Sequence, residues 1–111
     1  MQPIPETLSH PATSEIERGD VLHALSDEVR LSIVLAVADG GECAMRAIEV
    51  PVTKSTCTHH FKVLREAGVI RQRQVGTARL NTLRSDDLNE RFPGLLDSVL
   101  GAARSRRGAA A

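Results

Sequence analysis

One segment constrains the fold of this chain most strongly: residues 53–68, TKSTCTHHFKVLREAG, in which apolar and polar side chains recur at helical spacing. Thr53 can cap the first turn of a helix, and Gly68 can end it, since glycine adopts the left-handed conformation that follows a helix C-terminus. The inward side consists of Cys57, Phe61 and Leu64, with His60, Val63 and Ala67 beside them. The segment therefore predicts an amphipathic helix from Thr53 to Ala67, with His60 packed rather than exposed.

The polar side of this helix carries only side chains that can form hydrogen bonds. It consists of Ser55, Thr58, His59, Lys62 and Arg65. All five can bond to a phosphate or to a base edge of DNA. This composition predicts a helix that reads DNA. The alternative, a protein–protein interaction module, predicts an apolar outward face instead.

Two alternating segments follow the helix, and they predict a β-hairpin. They run over residues 69–74 and 78–83, on either side of Val75-Gly76-Thr77. Arg71 and Arg73 share one face because side chains alternate along a strand, and Arg79 follows the turn.

The charge is unevenly distributed, although the net charge is zero. Residues 1–50 carry three basic and nine acidic side chains, whereas residues 51–111 carry eleven basic and five acidic ones. Within residues 53–84, seven basic side chains accompany a single acidic one, Glu66. This basic segment predicts an electrostatic surface for phosphates.

The rest of the chain predicts one folded domain, residues 14–103, between a flexible arm, residues 1–13, and a disordered tail, residues 104–111. The further predicted helices are one capped by Ser14 and ending at Leu25, one capped by Ser26 and ended by Gly40-Gly41, a short one within residues 42–50, one capped by Ser85, and one beginning at Pro93. No apolar run approaches the roughly 20 residues that a membrane span needs, and no secretory leader is evident. We therefore expect a cytoplasmic protein without membrane contact.

The order of these elements is that of a winged helix-turn-helix. The segments ALSDEVRLSIVLAVADGGE (24–42) and KSTCTHHFKVLREAGVIRQRQVGTARLNTLR (54–84) resemble the ArsR/SmtB family of bacterial repressors. The resemblance covers roughly residues 20–100 and is most specific from Ser55 to Gly68. It implies a mainly α fold with a small β-hairpin, which dimerises through its first and last helices.

The resemblance also implies which residues bind. It places Lys54, Ser55, Thr58 and His59 against DNA in the major groove, and Arg73, Gly76, Thr77 and Arg79 in a wing on the adjacent backbone. With their neighbours, the DNA-binding candidates are Lys54, Ser55, Thr56, Thr58, His59, Lys62, Arg65, Arg71, Arg73, Thr77 and Arg79. The dimer-interface candidates are Val21, Leu22, Leu25, Leu95, Leu96, Val99 and Leu100.

The stretch before the DNA-reading helix departs from the family pattern. It looks about two residues shorter than usual and contains Pro51, which excludes a helical residue before it. We therefore expect the first helix of the helix-turn-helix to be truncated.

A metal site is not expected. Ala44 and Arg46 stand where arsenic- and cadmium-sensing relatives have thiols, and no histidine follows His60 to serve as a ligand on the last helix. Cys43 and Cys57 read as reduced, packed thiols, and His10 and His23 as isolated surface or interface residues. We expect no cofactor.

These observations predict a transcriptional repressor, not an enzyme, because no nucleophile elbow or phosphate loop is present. It would bind double-stranded DNA at an inverted repeat as a homodimer. Three questions stay open: whether the fold serves as a protein–protein module instead, whether a metal or thiol triggers it, and whether it responds to an unidentified small-molecule effector.

Overall fold

The computed structural model describes residues 8–110, with side chains for residues 8–106. Its elements are α1 (Arg18–Leu25), α2 (Glu28–Gly40), β1 (Cys43–Ala44), α3 (Lys54–Glu66), β2 (Ile70–Val75), β3 (Ala78–Leu83), α4 (Ser85–Arg91) and α5 (Leu95–Ala110). Two 3-10 turns, Thr13–Glu15 and Met45–Ala47, precede α1 and follow β1. The strands form an antiparallel sheet in the order β1-β3-β2. The predicted winged helix-turn-helix order is confirmed.

The prediction for α3 is confirmed. The Thr53 hydroxyl caps the helix by accepting a hydrogen bond from the Thr56 backbone N–H at 3.2 Å, and Ala67 ends it. Phe61 and Leu64 are 1% and 0% exposed, so the predicted inward side lies on the core.

The core lies around α2. Its side chains Ile33, Val34 and Val37 are fully buried, and apolar residues of α1, α3 and α5 pack in the same cluster. Asp27, rather than the predicted Ser26, caps α2 by accepting a bond from the Arg30 backbone N–H at 3.0 Å.

Gly68 joins α3 to the wing in a conformation that other residues rarely adopt. Its φ is +86°, and a Cβ at this position would lie 2.6 Å from Cγ1 of Ile16. Ile16 is 1% exposed and cannot move outward without opening the core. Both the backbone conformation and the packing therefore require glycine here.

We expect Gly68→Ala to lower the free energy of unfolding by about 1–3 kcal/mol, the usual cost of overpacking a core. Urea unfolding followed by circular dichroism measures this. Gly101→Ala is the matched control, because a Cβ at this position in α5 meets open space. The control should be neutral or up to about 1 kcal/mol more stable, and equal effects of the two substitutions would contradict the account.

The start of the folded domain differs from the prediction. Ser14 does not cap a helix, since it lies inside the first 3-10 turn and α1 begins only at Arg18. Ile16 between them is extended, with φ −71° and ψ 122°. This conformation places the Ile16 side chain in the core, where it is almost completely buried.

The structure describes residues 8–13 of the arm that we predicted to be flexible, whereas residues 1–7 lie outside the described part. The arm lies along the body, held by hydrogen bonds from the Arg65 Nε to the Ser9 carbonyl at 3.2 Å and from the Arg84 Nη1 to the Pro11 carbonyl at 2.8 Å. The Thr13 hydroxyl also donates to Asp87 Oδ1 at 2.7 Å.

The predicted third helix, residues 42–50, is replaced by a strand and one 3-10 turn. Cys43 and Ala44 pair with Asn81 and Leu80 of β3 and add a third strand to the predicted hairpin. The first helix of the helix-turn-helix, which we expected to be truncated, is replaced by the 3-10 turn Met45–Ala47.

The C-terminal predictions also need correction. The last helix begins at Leu95, because Gly94 has φ +82° and separates it from Pro93. It continues through Ala110, so residues 104–110 are helical where a disordered tail was expected. The helix continues because alanine and arginine favour the helical conformation. In addition, Arg104 pairs with Asp39 of α2 at 2.7 Å.

Candidate nucleic-acid interface

The outward side of α3 presents a row of polar side chains to solvent. The exposed residues of this row are Lys54, Ser55, Thr56, Thr58, His59 and Lys62. The Thr58 hydroxyl donates to the Lys54 carbonyl at 3.0 Å, so its oxygen still has room to accept a bond. Three hydroxyl side chains, those of Thr53, Ser55 and Thr56, lie at the N-terminus of α3, the end of a helix that favours negative charge.

The wing, β2 with β3, closes through the two-residue loop Gly76-Thr77, since Val75 pairs with Ala78. Gly76 has φ +60°, and no other residue type in the described chain has a positive φ. A glycine at the first loop position fits a type II′ turn, whose twist matches that of the flanking strands.

A groove joins α3 to the wing, and we call it the helix–wing groove. Lys54 and Thr58 of α3 line it together with Thr77 and Arg79 of the wing. The structure therefore brings together candidates from both predicted elements, which lie about 20 positions apart in the sequence. A duplex lying across this surface would meet both elements at once.

Arg73 points to the other side of the wing, where Glu42 holds it. Its Nε and Nη2 donate to the two carboxylate oxygens of Glu42 at 2.8 and 2.6 Å. This two-pronged bond lowers the pKa of Glu42 and raises that of Arg73. Both side chains are solvent-accessible, so the Glu42 carboxylate occupies Arg73 in the way that a phosphate would.

We expect Glu42→Gln to raise the affinity for DNA several-fold, because it frees Arg73 to bind a phosphate. The slope of log affinity against log salt should steepen by about 0.9 for each added phosphate contact, and a dimer gains one contact from each protomer. Fluorescence anisotropy at several salt concentrations measures both. Asp39→Asn removes the same charge from another exposed ion pair, that with Arg104, and should leave the slope unchanged. An unchanged slope for Glu42→Gln would place Arg73 outside the interface.

Arg65 and Arg71, two of the predicted DNA-binding residues, interact with other groups of the same chain. The Arg65 guanidinium is half-buried and donates to the Gln72 side chain at 2.7 Å as well as to the Ser9 carbonyl. Arg71 lies 3.8 Å from Asp87 on the arm side of β2. The structure thus separates Arg65 and Arg71 from the helix–wing groove and places them at the docked arm.

Comparison with known proteins agrees with this architecture. A family model described as a helix-turn-helix domain matches residues 25–73. The uncharacterized HTH-type transcriptional regulator YceK of Bacillus subtilis (strain 168) is 33% identical over 85 residues, which cover 74% of this chain and 85% of that protein. An ArsR-like transcriptional regulator from Rhodococcus sp. RHA1 is 26% identical with a TM-score of 0.55, over 83% of this chain and 86% of that one. The chain belongs to the ArsR/SmtB family.

A further structure supports the assignment. A possible transcriptional regulator for arsenical resistance is 25% identical with a TM-score of 0.60, over 78% of this chain and 95% of that one. As an ArsR/SmtB-family protein, the chain is a helix-turn-helix transcriptional regulator and not an enzyme. None of the helices in residues 8–110 has the length and apolar character to cross a membrane.

The dimer-interface candidates of this ArsR/SmtB-family chain fall into two groups. Four of them are 1–5% exposed and belong to the core of a single chain: Val21, Leu25, Leu96 and Leu100. These four residues were predicted at the dimer interface, but they lie in the core of one chain, because the apolar stripes of α1 and α5 pack against the rest of the same chain. Leu22 is 44% exposed, and Leu95 and Val99 are half-buried, so these three remain on the surface.

Two observations on the described residues bear on metal and thiol chemistry. Among residues 8–110, no group of three or more His, Cys, Asp or Glu side chains could hold a metal ion. Cys43 and Cys57 are free and half-buried, and burial raises the pKa of both thiols. A raised pKa lowers the thiolate fraction, which is the reactive form.

Arg30 holds α3 to the body, a role that the sequence pattern did not reveal. It is 7% exposed, and its Nη1 bonds to Nδ1 of His60, itself 9% exposed, at 3.1 Å. Its other nitrogens donate to the carbonyls of Ala24 at 2.8 Å and His23 at 3.2 Å, at the end of α1. A lone arginine among the apolar inward positions of α2 is the signal that could have revealed this role.

A second buried network runs through the sheet. Gln72 and Asn81 are 2% and 0% exposed, and the Gln72 amide donates to the Asn81 Oδ1 at 2.8 Å. Asn81 donates in turn to the Cys43 carbonyl, and Arg65 donates to Gln72. The network links the end of α3 to all three strands, so the orientation of the wing depends on it.

His10 fastens the arm to the edge of the sheet. Its Nε2 accepts a hydrogen bond from the Gln72 backbone N–H at 3.0 Å, on the side of β2 that has no strand partner. Burial lowers the pKa of His10, and the charges of Arg71, Arg65 and Arg84 lower it further. A hydrogen bond with the Leu8 backbone acts in the opposite direction, but the net shift of the His10 pKa is downward. The docked arm therefore requires a neutral imidazole.

We expect the arm to detach as the pH falls. The pKa of His10 is lower in the docked arm than in the free arm. Docking therefore costs no deprotonation above the ordinary histidine pKa of about 6.5, and it weakens progressively as the pH falls below that value. Hydrogen exchange of the Gln72 amide measures this: its protection, corrected for the intrinsic rate, should decrease between pH 7.5 and pH 5. His10→Gln should remove the pH dependence. Equal protection of Gln72 at both pH values in the wild type would contradict the account.

Proposed function

We propose that this regulator is a repressor that binds an inverted-repeat DNA site as a homodimer. In this proposal α3 lies in the major groove and the wing on the neighbouring backbone. The observation that carries it is the helix–wing groove, in which polar and basic side chains of α3 and the wing face the same opening.

The composition of α3 supports base reading. Its exposed side offers the hydroxyls of Ser55 and Thr58, the imidazole of His59 and the ammonium of Lys62. Such groups bond to base edges and phosphates. A protein–protein interface would need apolar anchors there, and the outward side of α3 presents none in the described structure.

Surface apolar residues on the outer helices support a homodimer. Among the described residues, two large apolar side chains are exposed: Leu22 on α1, at 44%, and Val75 at the wing tip, at 47%. Leu95 and Val99 lie half-buried on α5. A two-fold pairing of these helices would cover apolar surface and present two copies of α3 to one duplex. The regulator would act in the cytoplasm, where its DNA lies.

Titration of fluorescent DNA from upstream of the gene tests the proposal. We expect binding at least about 10³-fold tighter than to a shuffled duplex, and weaker binding at higher salt. Arg79→Ala should weaken binding, whereas Arg18→Ala, which removes an exposed cation from the start of α1, should not. Equal affinities for the two duplexes, with Arg79→Ala indistinguishable from Arg18→Ala, would refute it.

The dimer is tested separately by sedimentation. We expect the wild type to sediment as a dimer and Leu22→Glu to sediment as a monomer while retaining its helical circular dichroism. A monomeric wild type would refute the homodimer.

A further inference from the structure

We propose that the helix–wing groove binds a small amphiphilic carboxylate, and that this ligand competes with DNA. The competition rests on the proposed function, whereas the binding itself does not. The groove has a volume of about 950 Å³, at the upper end of the range for small-molecule sites.

The apolar part of the groove comes from the segment that replaces the missing helix. Met45, Ile48, Val50 and Val52 line it, and none of them is fully buried. Pro51 keeps this segment irregular, so these side chains cannot close over one another as the face of a regular helix would. They leave an apolar surface that an alkyl or aryl group would cover.

The charged part of the groove favours an anion. Arg46, Lys54 and Arg79 line it together with the single acidic residue Glu49. Within the described residues, neither Arg46 nor Lys54 has an ion-pair partner, and Arg79 has only a 3.3 Å bond to the Gln74 side chain. The groove thus carries an excess of two positive charges beside its apolar surface.

The apolar surface and the excess positive charge of the groove together indicate the class of ligand. A DNA phosphate would use the cations but would leave the apolar side chains uncovered, and a neutral apolar molecule would leave the cations unused. A molecule with an apolar body and one carboxylate uses both. It would also cover Lys54, Thr58 and Arg79, which we propose as DNA contacts, so ligand and DNA would exclude each other.

The test uses decanoate below its micellar concentration, with the Met45 methyl group as an NMR probe. We expect a saturable shift of this signal with decanoate, and none with equal concentrations of acetate, which lacks the chain, or decanol, which lacks the charge. Arg46→Gln should weaken decanoate binding at least about fivefold, whereas Arg104→Gln, at an exposed cation on α5, should not. Absence of a saturable shift, or equal effects of the two substitutions, would overturn the proposal.

The competition has its own readout. Decanoate should release bound upstream DNA from the wild type, with acetate as control. DNA that stays bound while the Met45 signal reports full occupancy would overturn the competition. If the protein binds no specific DNA but the Met45 signal still shifts, the carboxylate site is supported and the proposed function fails.

Discussion

The double substitution Ser55→Ala/His59→Ala is expected to lower the affinity for the specific DNA site on the order of 1,000-fold or more. Each direct base contact contributes about 1–3 kcal/mol of discrimination, and a dimer loses both contacts twice. Both side chains are exposed on α3, so the free energy of unfolding should stay within about 1 kcal/mol of the wild type. Fluorescence anisotropy and urea unfolding measure the two quantities.

The matched control replaces the same residue types elsewhere. Ser14→Ala/His23→Ala removes an exposed serine and an exposed histidine outside α3 and the wing, and it should leave the affinity unchanged. Binding to a shuffled duplex should change little in either variant, because phosphate contacts dominate it. If both double variants bind the specific site equally well, α3 does not read the bases.

The substitution Arg30→Met is expected to lower the free energy of unfolding by about 2–5 kcal/mol. It keeps most of the apolar stem but leaves the Ala24 carbonyl and the Nδ1 of His60 without their donor, whereas the His23 carbonyl keeps its bonds from Ser26. Buried polar groups that lose a partner cost about 1–3 kcal/mol each, and breaking a buried charged network costs several. Urea unfolding measures the loss.

Two further variants separate the network from the charge alone. Arg30→Lys keeps the charge but not the planar fork that reaches three acceptors, so it should lose most of the same stability. In the double variant Arg30→Met/His60→Leu, the combined loss should be smaller than the sum of the single losses, because the two side chains are in contact. A loss below about 1 kcal/mol for Arg30→Met would contradict the role assigned to it.

Local patterns accounted for α3 and the wing. The cap at Thr53, the inward spacing of Phe61 and Leu64, and the glycine of the Gly76-Thr77 loop act within a few residues of themselves, so the sequence alone predicts their consequences. The polar side of α3 followed from the same periodicity. Which of these side chains binds DNA stays a prediction.

Long-range contacts could not be predicted in the same way. Arg65 looks like an outward cation in the helical pattern, yet it bonds to Ser9, 56 positions away, and Arg84 bonds to Pro11, 73 positions away. The arm has no apolar periodicity, and only its partners on the body order it. The two-residue strand Cys43–Ala44 is similar, since its pairing with β3 defines it.

The surface of a helix is also hard to assign without its neighbours. Val21, Leu25, Leu96 and Leu100 have the same apolar character as Leu22 and Val99, but the first four lie in the core of one chain. The pattern shows that α1 and α5 have apolar stripes. It does not show which residues of each stripe the same chain covers.

The most direct test of the central claim, that α3 and the wing form one DNA-binding surface, is a map of backbone amide shifts on binding the upstream DNA. We predict the largest changes in residues 54–62 and 74–79, with smaller changes at Arg65 and Arg71. The largest changes in α4, or on the α2 surface away from α3, with α3 and the wing unaffected, would contradict it.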